Sequence, residues 1–318
     1  MSRHWATIKE AGALTGMRIM VFIYSVFGRA VFNLILVPVM AYFFVRRPVA
    51  RNASMDYLRK VKAAYPGTFE NRSIAWLSYR HFLTFGHSLL DKYIALSQSP
   101  TDIAMDPEDE KMLFDLVASG QGCLVIGSHF GNLEYSRGIA VRHPDLVINV
   151  LMYDQHAENF AALMQDVKTK SRMNLIQVTD IDMALALTLK EKVQQGEWVV
   201  IAGDRVPVGE GTRVCRTRFF GEEASFPIGP YVLAHLLGCP VYLLHCYLVG
   251  DDYHIGVEFF EEKFQIARGN RQAVYESAAG KFAQSLEKQV VRFPLQWFNF
   301  FDFWHNDDAH EAHQAKRR

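Results

Sequence analysis

Between Cys123 and Phe260 short apolar runs recur, and they constrain the fold more than any other feature. They are CLVIGS (123–128), LVINVL (146–151), NLIQV (174–178), WVVIA (198–202), PVYLLHCYL (240–248) and YHIGVEFF (253–260). Helix-like segments near 133–142, 157–170, 181–195 and 228–238 lie between them. A last helix carries Val274, Ala278, Phe282, Leu286 and Val290 at a spacing of four. Continuous apolar strands alternating with helices need a sheet that is buried on both faces. We therefore expect an α/β fold, with a mostly parallel sheet flanked by helices in an αβα sandwich. In such sheets ligands sit in the loops after the strand ends.

Upstream the pattern changes. From Ile19 to Val45 run 27 residues whose only charge is Arg29. About 20 apolar residues suffice to span a bilayer, but a central arginine costs about 2.5–3.5 kcal/mol on insertion scales. Arg29 divides the run into segments of 10 and 16 residues, and Pro38 is expected to kink the second. A single transmembrane anchor and a kinked helix pair lying in the interface, with Arg29 snorkelling to headgroups, both fit. A buried core helix is the alternative without a membrane. The absence of a small-residue cleavage site argues against a secretory signal.

Charge separates the same region. The 34 basic and 34 acidic side chains cancel over the chain, which does not favour a nucleic-acid binder. Residues 1–55 hold seven basic groups against Glu10, a local +6 that leaves −6 for the remainder. A basic apolar segment suits an anionic membrane surface. We accordingly expect a membrane-associating segment over 1–55 and an α/β domain over 56–318. Within the latter, 56–98 carries helical spacing interrupted at Pro66-Gly67, and Asp106-Pro107 opens a helix that Gly120 closes. Cys123, Cys215, Cys239 and Cys246 lack metal-ligand spacing and are expected as reduced thiols.

The loop after the first strand, GSHFGNLEYSR (127–137), carries the chemistry. Its glycine frame resembles a nucleophile elbow, but His129 replaces the serine, so that nucleophile is absent. Four residues separate His129 from Glu134, among them Gly131 and Asn132. Asn132 is expected to cap the next helix and place Glu134 in its first turn. From there the carboxylate can fold back onto the imidazole, fix its tautomer and raise its basicity. The same residues also fit a hydrogen-bonded turn without chemistry.

Other residues have paired readings. Asp204 and Arg205, after a buried strand, suit phosphate or headgroup binding, or else a salt bridge capping the sheet. Arg213, Arg216 and Arg218 suit an acidic carrier or lipid phosphate, with Arg216 and Arg218 on one strand face, or they form a solvated face. His87 and Asp91 read as a surface pair, with His81 on the same helix; His235, His245 and His254 read as packed histidines. The aromatics from Phe293 to Trp304 suit an acyl tunnel, an interfacial belt or plain core packing.

The SHFGN-x-E segment resembles the HX4E signature of the lysophospholipid acyltransferase superfamily, most closely the late acyltransferases of lipid A biosynthesis. VIAGDRVP (200–207) and FFGEEASFPIGPYVLAHLLGCPVYLLHCY (219–247) are similar to the blocks that follow it, and PLQWFNFFDFW (294–304) to the chain end. One segment departs: where an Arg-Pro element is usual, VLMYDQHAENF (150–160) offers His156 and Asn159 but no arginine. That departure, with GDRVP, suits relatives of aryl polyene or related lipid pathways.

The resemblance implies a glycerolipid acyltransferase-like sandwich with a hydrophobic N-terminal helix, at the cytoplasmic face of a bacterial inner membrane. It implies transfer of a fatty acyl group from an acyl carrier protein or coenzyme A thioester to a lipid or glycolipid hydroxyl. His129 would be the base and Glu134 its partner, with Gly131, Asn132, Asp204, Arg205, Arg216 and Arg218 binding substrate. It implies no metal and no bound cofactor. A lipid or thioester hydrolase and a silent lipid-binding subunit of the same fold are the alternatives.

Overall fold

The N-terminal apolar run folds as helix α1 (Ala13–Arg46), broken at Gly28, whose φ of 77° and ψ of −178° leave the helical region. The computed structural model describes residues 13–69, 71–98, 103–153, 173–178, 182–206, 213–266 and 269–304. These fall into two units, one within 1–93, 218–225 and 283–318 and the other within 94–217 and 226–282.

In the first unit, α2 (Pro48–Ala64) and the greater part of α3 (Ile74–Gln98) accompany α1. Phe32, Leu36 and Met40, spaced by four, are the buried stripe of α1. Gly86 on α3 makes room for it, since a Cβ there would stand 2.8 Å from Leu36 Cδ1 and 3.1 Å from Met40 Sδ. The Tyr79 hydroxyl donates to the Val37 carbonyl at 3.0 Å. The remaining faces are bare: Phe22, Val26, Phe27, Leu34 and Val45 are all more than half exposed. By length and composition Arg18–Arg46 is long and apolar enough to cross a membrane.

Three expectations for this region change. The dihedral break falls at Gly28, and the backbone stays helical through Pro38. Arg29 does not reach away from the protein alone; its Nη2 donates to Asp91 Oδ1 at 2.8 Å. The Asp91 side chain is 2% exposed, so its electrostatic pairing with His87 is buried and not a surface one. His81 is likewise buried: its Nε2 faces the Trp297 carbonyl at 3.0 Å and its Nδ1 faces Ser54 Oγ at 2.9 Å. A carbonyl can only accept, so Nε2 carries the hydrogen and Nδ1 accepts from Ser54, which in turn accepts from Ser78. Trp297, Phe298, Phe301 and Phe303 are buried, so this aromatic segment is core.

In the second unit, among the described residues, lie β1 (Ala104–Met105), α4 (Pro107–Ala118), β2 (Leu124–Gly127), α5 (Arg137–Arg142), β3 (Ile148–Tyr153) and β4 (Met173–Val178). There follow α6 (Met183–Gln194), β5 (Trp198–Ala202), α7 (Gly229–Leu237), β8 (Val241–Val249) and β9 (Asp252–Glu261). Along the chain, β6 (Val214–Phe219) and β7 (Glu222–Pro227) form a separate two-stranded sheet that includes residues 218–225 of the first unit, and α8 (Arg271–Arg292) follows β9, its residues from 283 onward belonging to the first unit.

The main sheet has the order β1-β9-β8-β2-β5-β3-β4, parallel except for the antiparallel β8–β9 pair. The α/β expectation therefore holds. β2 is buried along its whole length: Val125 joins Leu113, Ile139, Val200 and Leu244 in one core layer, while Leu124 and Ile126 bury toward the opposite face. The β2–β5 register pairs Gly127 with Ala202. This puts the loops that leave the two strand ends side by side, which positions the site.

Candidate functional site

Ser128 and His129 leave β2 as Gly203 and Asp204 leave β5, and the Gly203 N–H donates to the Gly127 carbonyl at 2.9 Å. Gly203 permits this approach, because a Cβ there would lie 2.6 Å from Ile126 Cγ2. Asp204 then grips the neighbouring loop twice. Its Oδ2 accepts from the His129 backbone N–H at 2.9 Å, and its Oδ1 lies 2.8 Å from His129 Nδ1. The carboxylate side chain is 1% exposed, whereas the His129 side chain is 39% exposed.

Burial pushes the Asp204 carboxyl up, but His129 and Arg205 oppose it and hold it at about 2. An ionised carboxylate only accepts, so Nδ1 carries the hydrogen, and in the neutral imidazole Nε2 is then the nitrogen with the lone pair. A half-exposed imidazole with a fixed tautomer can take a proton from a bound hydroxyl. Asp204 is expected from sequence among the substrate-binding residues, and the structure places its carboxylate on His129. The signal was an acid directly after a buried strand, but strand order decides which loop that acid meets.

The remainder of the loop is pinned to β8. Gly131 has φ of 68°, and a Cβ there would overlap the Cys246 carbonyl oxygen. The next N–H, of Asn132, donates to that same oxygen at 2.7 Å. Asn132 precedes a short 3-10 turn, Leu133–Ser136, but its side chain makes no capping bond, contrary to expectation. Glu134 does lie in the first turn. It acts electrostatically on Arg137 and on the buried Cys246 thiol.

The structure thus gathers His129, Asp204 and Arg205 at the ends of β2 and β5, and Gly131, Asn132 and Glu134 between there and β8. Arg216 and Arg218 are exposed on β6, in the hairpin sheet and not in these loops. His156 and Asn159 lie outside the described residues. Arg137, which sequence reasoning quoted without a role, is buried beside this cluster at 5% exposure.

No curated protein matches the chain. The family model described as bacterial lipid A biosynthesis acyltransferase matches residues 68–306, about three quarters of the sequence. That span contains the His129 loop, the Asp204 loop and the strands that bring them together. The chain belongs to the bacterial lipid A biosynthesis acyltransferase family.

Proposed function

We propose that this lipid A-type acyltransferase moves a fatty acyl group from an acyl carrier protein or coenzyme A thioester to a hydroxyl of a lipid or glycolipid. The observation that carries this reading is the His129–Asp204 pair, in which a buried carboxylate fixes the tautomer of a half-exposed imidazole. His129 Nε2 takes the proton of the acceptor hydroxyl, and the oxygen attacks the thioester carbonyl carbon. The tetrahedral intermediate collapses with cleavage of the C–S bond, and the imidazolium returns its proton to the leaving thiolate. Water must be kept from replacing the acceptor, since the same base would then hydrolyse the thioester.

Glu134 supports the charge that develops on His129, and Gly131, Asn132 and Arg205 border the substrate. Arg216 and Arg218 offer an exposed cationic face to an acidic carrier or a lipid phosphate. No metal or bound cofactor has a step in this scheme. The apolar, largely bare α1 and the +6 of residues 1–55 support work at an anionic membrane surface, the cytoplasmic face of the inner membrane. Residues 1–55 then serve as the membrane-associating segment and 56–318 as the acyltransferase domain.

Purified full-length protein incubated with acyl thioester, with and without a hydroxylated lipid, tests this. Acylated lipid formed only with the acceptor is expected, and H129A and E134A should abolish it while remaining folded. Free fatty acid regardless of acceptor would make the protein a hydrolase, and no turnover would make it a binding subunit.

A further inference from the structure

We infer that α1 lies in one leaflet of an anionic bilayer and does not cross it, so that the segments before and after it stay on one side of the membrane. The inference rests on the membrane association proposed for this helix. Length and composition alone would let Arg18–Arg46 cross, but packing divides it. From Arg29 to Phe44 it lies antiparallel along α3. Arg29 Nη2 donates to Asp91 Oδ1 at 2.8 Å, the Phe32 ring is 6.1 Å from that of His87, and the Val37 carbonyl accepts from Tyr79. Phe44 closes the series, its ring 5.8 Å from Tyr79 and 5.5 Å from Phe82. A crossing through this half would carry α3 with it. Over the same length α3 brings Arg80, Thr84, His87, Ser88, Asp91 and Lys92, and each charge costs about 2.5–3.5 kcal/mol at the bilayer centre on insertion scales.

The half that remains is too short. Between Arg18 and Arg29 lie 10 residues, about 15 Å of helix against about 30 Å of hydrocarbon. Gly28 cuts this half from the next, because its φ of 77° and ψ of −178° take the backbone out of the helix. Arg18 and Ser25, seven apart, share one side of it, and Ile19, Phe22 and Val26, spaced by three and four, form an adjoining apolar face that is more than half exposed. A helix of this kind lies in the interface plane, its apolar face about 5–10 Å deep and its basic groups among the lipid phosphates. The second half meets the same plane. Leu34, Val37 and Val45 stand exposed opposite its buried stripe, and Arg46, Arg47 and Arg51 follow at its end. At the bend, Arg29 has half of its side chain exposed toward the headgroups while its ion pair compensates the buried Asp91. Arg18 and Arg29 thus both stay at headgroup level on one surface, whereas about 15 Å of helix cannot place them at two.

Full-length protein carrying Ser2→Cys or Asn52→Cys, one on each side of the apolar run, tests this in bacterial spheroplasts treated with a membrane-impermeant sulfonated maleimide. Wild type is the control, because Cys123, Cys215, Cys239 and Cys246 are buried. Both variants should fractionate with the membrane and label alike, each only after the spheroplasts are opened. Labelling of S2C in intact spheroplasts while N52C needs lysis means that α1 crosses, and overturns the inference. An S2C that labels only in detergent overturns it as well, since that residue then lies within the bilayer. Labelling of both in intact spheroplasts keeps α1 on one side and moves the protein to the outer face. Protein found entirely in the soluble fraction overturns the membrane association on which the inference rests. Labelling is read without turnover, so the acyl-transfer reading stands or falls separately.

Discussion

The carboxylate of Asp204 holds His129 by backbone and ring together, at 2.9 and 2.8 Å, across the ends of two adjacent parallel strands. Position and tautomer of the imidazole therefore depend on a residue 75 positions away in sequence. Asp204→Asn keeps the size and one acceptor but loses the charge. We expect kcat to fall on the order of 10⁴-fold, as when the acid of a hydrolase triad is neutralised. KM for the acceptor should change much less. Steady-state kinetics with thermal unfolding decides the point: a folded D204N with kcat within a few-fold of wild type removes Asp204 from the mechanism.

Gly131 faces a stricter limit than flexibility. At φ of 68° any side chain is strained, and here a Cβ would also overlap the Cys246 carbonyl oxygen that Asn132 N–H uses. G131A should cost about 1–2 kcal/mol from the backbone region alone, and more if the Asn132 hydrogen bond is lost. Denaturant unfolding measures the first quantity, and activity of the folded fraction measures displacement of the loop. An alanine variant with unchanged stability and turnover would show that the loop has another way to lie.

The α/β class was legible because each central strand is buried on both faces: Leu124 to Gly127 offers no polar position to disturb the apolar run. Helix α4 was legible in the same way from Asp106-Pro107 and the acids after it. The His129–Asp204 bond was not, because sequence shows that two strands exist but not that β2 and β5 are neighbours. Nor was the break in α1. Proline at 38 is the stronger local signal, yet the chain turns at Gly28, where the dihedrals suit glycine alone. Arg29 could be read only as a charge in an apolar run, since its partner Asp91 is 62 residues away.

Acid should destabilise the fold well above the carboxylate range. Burial holds His81 at about 3 and His245 at about 4, against about 6.5 for an unfolded histidine. Both pKa values are depressed on folding, so their contribution is whole above pH 6.5 and is lost as pH falls toward 3–4. Each histidine should remove roughly 2–3 kcal/mol between pH 8 and 4.5. H81F should be less stable at pH 8, because Ser54 and the Trp297 carbonyl lose a partner, by about 1–3 kcal/mol. Its deficit should shrink as pH falls. Urea unfolding at pH 8, 6 and 4.5 reads this directly, and a constant deficit would mean that His81 does not titrate as stated.

The Arg29–Asp91 pair is unequal, with a side chain half in solvent tied to one that is 2% exposed. Removing either partner should therefore have unequal consequences. R29M leaves a buried carboxylate without this cation, which should cost about 1–3 kcal/mol. D91N removes the buried charge and leaves an amide that still accepts from Arg29, so its cost should be smaller. The double variant should fall short of the sum of the two. Thermal unfolding of the four proteins in one detergent closes the cycle. An R29M no less stable than D91N, or strict additivity, would mean that the pair does not fix α1 to α3. Because the pair begins one residue beyond the Gly28 break, R29M should also free the first half of α1. Protease cleavage between Phe22 and Leu34 should then rise in R29M but not in D91N.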